Sequence, residues 1–169
     1  MNSFLNNMFT KKPTTNDIVK RIANFNPSLM DNDRAFCYLF DKIALANGYQ
    51  EYDLPSYWTI GRAIYNYKQS NNISAENTAP KTNELIKNVD LNNPLLSAYK
   101  FLRKPSIHSI IEKISEYDDY ALQNDRKLVE LFDSIALLNG YSKNNLPKYW
   151  NIIRASFRYK RKQKEDELC

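Results

Sequence analysis

The chain repeats itself. Asn32-Asp33-Arg34 recurs as Asn124-Asp125-Arg126, Leu39-Phe40-Asp41 as Leu131-Phe132-Asp133, and Asn47-Gly48-Tyr49 as Asn139-Gly140-Tyr141. The register holds further on, with Leu54-Pro55 matching Leu146-Pro147, Tyr57-Trp58 matching Tyr149-Trp150, and Tyr67-Lys68 matching Tyr159-Lys160. At this constant offset of about 92 residues, roughly 21 of the 37 positions from 32 to 68 are identical, which chance does not produce. Upstream the identity fades but the pattern persists: Phe9, Pro13, Ile18 and Ile22 match Phe101, Pro105, Ile110 and Ile114. A repeat of about 60 residues restricts the fold to a unit that can be built twice.

Local signals within the unit predict three helices. Thr14 or Thr15, and Ser106, are placed to cap the first, whose apolar positions Ile18, Ile22, Phe25 and Ile110, Ile114, Tyr117 follow helical spacing. Asn32 or Asp33 caps the second. Its buried face is expected to hold Phe36, Leu39, Phe40 and Ile43 in one copy and Leu128, Leu131, Phe132 and Ile135 in the other. Gly48 and Gly140 each follow an Asn, where a left-handed residue closes a helix. Pro55 and Pro147 are expected in the first turn of the third helix, and Trp58, Gly61, Tyr65 and Trp150, Ile153, Phe157 on its core face.

The resulting fold class is all-α, a tandem duplication of a three-helix module joined by a polar linker. The expected domains are 1–69 with a short leading helix, a linker over 70–92, and 93–169 with a basic C-terminal helix. Residues 83–89 fit one or two helical turns. Segments 13–69 and 105–161 should superpose. Composition agrees with a folded helical chain: twelve Tyr and eight Phe supply core area, while three Gly leave little for hairpins or phosphate-cradling loops. Abundant Asn, Lys, Ile and Tyr fit AT-rich coding in a phage or mobile element. Residues 1–9 lack a basic start and a long apolar run, so a cytoplasmic or virion-associated protein without a membrane partner is expected.

Catalytic patterns fail in turn. His108 is the single His and has no counterpart in the first copy, which excludes a duplicated nucleophile–His pair. Glycines at 48, 61 and 140 make neither GxxxxGK[ST] nor GxGxxG. Cys37 and Cys169 lie in unrelated contexts and suggest neither a disulfide nor zinc. No cofactor or metal is expected, and no enzymatic activity. Glu116, Asp118 and Asp119 read as a solvated helix end. Asp41 and Asp133 each interrupt an apolar helix, so structural pairs with Arg62 and Arg154 are expected. Asp33-Arg34 and Asp125-Arg126 read as capping with surface pairing.

Charge is unevenly placed. The third helix of the second copy carries Lys148, Arg154, Arg158, Lys160, Arg161, Lys162 and Lys164 before its first acid, Glu165, whereas its counterpart has only Arg62 and Lys68. These seven are the candidate partner-binding residues, able to face nucleic-acid phosphates or an acidic protein. A three-helix unit ending in a basic helix is superficially similar to helix-turn-helix modules. The segment from Tyr49 to Leu54, however, is longer than the three-to-four-residue turn they use. Since only one of the two third helices is basic, a protein partner is favoured, in an adaptor, assembly factor or inhibitor; DNA or RNA binding is the alternative.

Overall fold

The computed structural model describes residues 11–72 and 94–168; these form six α-helices joined by turns, with no strand among them. The expected short leading helix of the first module, most of the linker and the turns at 83–89 lie outside the described residues. Contacts divide the chain into two compact units, Met1–Leu85 and Ile86–Cys169.

In the first unit, α1 is Thr15–Phe25, α2 is Asp33–Ala46 and α3 is Tyr57–Ser70, each packed on the other two. The start of α1 is set by a reciprocal cap: Asp17 N–H donates to Thr14 Oγ1 at 3.1 Å, and Thr14 N–H donates to Asp17 Oδ2 at 2.9 Å. Ile18, Val19, Ile22 and Ala23 form its buried stripe. At the head of α2, Asn32 Oδ1 accepts from Ala35 N–H at 3.1 Å, and Phe36, Phe40 and Ile43 are wholly enclosed. The helix stops at Asn47-Gly48. Gly48 takes φ 105°, where a side chain is strained, and Tyr49 N–H reaches back to Ala44 O at 3.0 Å in a Schellman closure. The Tyr49 hydroxyl then donates to Pro13 O at 2.7 Å, tying the end of α2 to the start of α1.

The second unit contains α4 (Ile107–Tyr117), α5 (Asp125–Leu138) and α6 (Tyr149–Glu167). Ser106 caps α4 through Ser109 N–H at 3.1 Å, and Asn124 Oδ1 accepts from Arg126 and Lys127 N–H. Gly140 has φ 103°, Tyr141 N–H bonds Ala136 O at 3.0 Å, and the Tyr141 hydroxyl bonds Pro105 O at 2.7 Å. Asn139 adds contacts of its own, accepting from Phe101 N–H at 2.8 Å and donating to Tyr99 O at 2.9 Å. These secure the end of the 3-10 turn Pro94–Tyr99.

Four expectations need correction. Phe25 and Tyr117 are exposed, because they end their helices; Val19 and Ile111 take the burial instead. Pro55 and Pro147 precede the third helices rather than entering them: Ser56 and Lys148 are the N-caps. Ser70, expected at the start of the linker, belongs to α3. The core face of the third helix is Ile60, Ala63 and Ile64 in α3 and Ile152, Ile153 and Ser156 in α6. Of the expected stripe only Ile153 is buried; the two Trp are half-buried, and Tyr65 and Phe157 are exposed. At matched positions, apolar bulk has moved by one turn, from Gly61 with Ile64 to Ile153 with Ser156. The Ser156 hydroxyl is left buried without a hydrogen-bond partner among the described residues. No helix among the described residues is long and apolar enough to cross a membrane.

Candidate functional site

The distinctive surface lies on α6. Its apolar positions Ile152, Ile153 and Ser156 turn into the unit, which leaves the opposite side to solvent. Because residues advance by about 100°, positions 154, 158 and 161 fall within about 60° of one another on that side, with 162 at its edge. Arg154, Arg158, Arg161, Lys162 and Lys164 are all exposed, and none forms an ion pair within 4.0 Å among the described residues. From Arg154 to Lys164 the cations extend over about 15 Å. Phe157, 41% exposed, lies beside them. Such a face can form charge-assisted contacts with carboxylates or phosphates, with an aromatic edge for packing.

Two of the seven candidate cations are placed otherwise. Lys148 is the N-cap of α6, about 9 Å below Arg154 along the axis and off the line of the arginines. Its charge meets the positive end of the helix dipole and gives no side-chain cap. Lys160 turns inward: Nζ donates to Leu122 O at 2.9 Å and lies 5.0 Å from the Phe157 ring centroid. Burial lowers its pKa, partly opposed by Asp125. The matching Lys68 has a carboxylate instead, Asp31 Oδ1 at 2.8 Å, with both side chains more than four-fifths buried. Lys160 therefore serves the packing of its own unit. Sequence position alone cannot separate it from Arg161, since the difference is which element α6 lies against.

Among the described residues neither Arg62 nor Arg154 forms an ion pair within 4.0 Å, so the Asp–Arg pairs expected between second and third helices are not seen. Arg62 and Arg154 are exposed, and the Tyr57 hydroxyl donates to Asp41 Oδ2 at 3.2 Å. Asp133 is buried. In the first unit a phenol therefore joins the second and third helices at Asp41. Asp33 and Arg34 are also not at the surface. Each is 6% exposed, with Arg34 Nη1 4.0 Å from Asp33 Oδ1, so adjacent opposite charges offset part of the cost of burial. Phe157 was missed as a surface residue. The signal was its counterpart Tyr65, whose hydroxyl fits a position partly in water.

His108 lies exposed in the first turn of α4, its Nε2 4.0 Å from Glu112 Oε2 and its ring 6.2 Å from Tyr159. Among the described residues, no group of three or more His, Cys, Asp or Glu is placed to hold a metal ion. The chain matches no known protein family, no curated protein and no solved structure.

Proposed function

We propose that this chain is a non-enzymatic binding protein, a tandem duplication of one three-helix module whose diverged faces hold partner proteins. It would act as a small adaptor, assembly factor or inhibitor. One observation carries the reading: matched cores and caps support third helices whose outer faces differ. Exposed positions of α3 include Arg62, Asn66, Gln69 and Ser70; the corresponding positions of α6 are Arg154, Arg158, Arg161 and Lys162. Core packing constrains only the inner face, so different outer chemistry on one scaffold supports a separate contact for each copy. The inward Lys160 leaves fewer free cations than α6 first offers, and Glu165 lies on the same line as the arginines at their C-terminal end. Both weigh against a nucleic-acid track along α6. The exposed arginines, unpaired among the described residues, favour DNA or RNA binding as a second reading.

The test is retention from cells of the natural source on two face variants of the full chain, Tyr65→Ala/Asn66→Ala/Gln69→Ala and Phe157→Ala/Arg158→Ala/Arg161→Ala. Circular dichroism verifies their folds. Each variant should lose a different set of proteins identified by mass spectrometry. Identical losses, or retention abolished by nuclease, would overturn the reading.

A further inference from the structure

We infer that the outer face of α6 docks a short acidic segment of a partner protein, with Phe157 as its apolar contact. The inference rests on the protein-binding reading above and names the partner's chemistry at one of its faces. Charge complementarity is the first argument. Five exposed cations within one helix, none paired within the described residues, leave an uncompensated field that a run of Asp and Glu would neutralise.

The fold does not require these charges. Arg154 is matched by Arg62, but in place of Arg158, Arg161 and Lys162 α3 has Asn66, Gln69 and Ser70, Asn72 just beyond it stands in place of Lys164, and its unit packs through equivalent helices. The helix dipole accounts for Lys164 in the last turn but not for Arg154 or Arg158, since its influence fades within one turn. The extent of the face limits the occupant. Glu165, Asp166 and Glu167 follow directly, all exposed, so the positive stretch ends after about 15 Å. A polyanion continuing along α6 would meet these carboxylates, whereas a peptide of a few acidic residues ends before them. Phe157 flanks the stretch and offers the aromatic anchor that protein contacts use.

Fluorescence anisotropy of the full-length protein tests this with a labelled synthetic peptide of Asp and Glu around one central Phe. Single-stranded and duplex DNA of matched charge serve as the comparison probes. The peptide should bind, with affinity falling as salt rises from about 0.05 to about 0.15 M. Arg158→Glu/Arg161→Glu/Lys162→Glu should weaken binding by about tenfold or more. The milder Arg158→Gln/Arg161→Gln/Lys162→Gln should give an intermediate loss and, by keeping good helix formers, guards against a folding artefact. Arg62→Glu on the other unit should leave affinity unchanged. Phe157→Ala should weaken the peptide severalfold more than a peptide lacking the Phe. Tighter binding of either DNA at about 0.15 M salt, no peptide binding, or insensitivity to charge reversal would each overturn the inference. The experiment needs no natural partner, so its failure leaves the retention experiment to decide the adaptor reading separately.

Discussion

The two third helices agree more where they touch their units than where they do not, with Arg62 and Arg154 the shared exposed pair. α3 starts at a capping Ser56, runs 14 residues and presents an almost neutral outer face. α6 starts at Lys148 without a side-chain cap, runs 19 residues and presents five exposed cations. Identity is concentrated at Ile60 and Ile152, Ala63 and Ala155, Tyr67 and Tyr159. Interior positions are held by close packing, where one methylene matters, while exposed positions change with little effect on stability. What a face carries is therefore free to follow its contacts. The exception lies inside: Gly61 with Ile64 against Ile153 with Ser156 shows that a core can move its bulk by a turn if the total is kept.

The comparison breaks most visibly if the matched cores are not equivalent. Phe40 and Phe132 are both wholly buried, so Phe40→Ala and Phe132→Ala should each cost about 3–5 kcal/mol in urea unfolding of the full chain. Each unit has one Trp, and Trp150→Phe or Trp58→Phe backgrounds leave fluorescence reporting on the other unit alone. A loss below about 1 kcal/mol at one site only would end the equivalence.

The helix stops come next. Gly48→Ala and Gly140→Ala force a side chain onto φ near 105° and 103°, at a cost of about 1–3 kcal/mol. An added Cβ meets nothing within 4 Å at Gly140 and only Lys12 Cγ at 3.9 Å at Gly48, so both losses measure backbone strain and should agree. Capping should separate the units instead of matching them. Lys148→Ser installs the missing cap and should stabilise the second unit by about 1 kcal/mol, while Ser56→Ala should cost the first about as much. Denaturation midpoints that move the same way in both variants would show that the cap is not the difference.

The smallest effect is a pH response confined to one unit. Hydrogen bonds from Thr14 hold the Asp17 carboxyl below its ordinary value of 3.8; Ser109 occupies the matching place in α4. A folded-state value below the unfolded one means the contribution is present above that ordinary value and lost as pH falls through the folded value. An NMR titration from about pH 5 to about pH 2 should move the Thr14 and Asp17 amide resonances and leave those of Ser106 and Ser109 in place. Matching shifts at Ser106 would assign the change to something other than the capping box.

Signals that act over a few residues were readable from the chain alone. Thr14, Asn32, Ser106 and Asn124 cap the helices that follow them, and Gly48 and Gly140 end theirs, because a cap or a left-handed residue needs partners no more than about five positions away. The all-helical character and the uneven cations of α6 were legible for the same reason. The side of a helix that faces inward was not. Tyr65, Phe157, Phe25 and Tyr117 keep helical spacing yet lie in water, since aromatic residues lie on two neighbouring stripes and only the packed neighbours choose between them. Arg34 is enclosed and Arg62 exposed, Lys160 is drawn to Leu122 O and Arg161 is not, although the two members of each pair carry the same charge. Burial of a charge depends on where the chain returns to cover it, and that is decided by tertiary packing of segments dozens of residues away, beyond the reach of any local pattern.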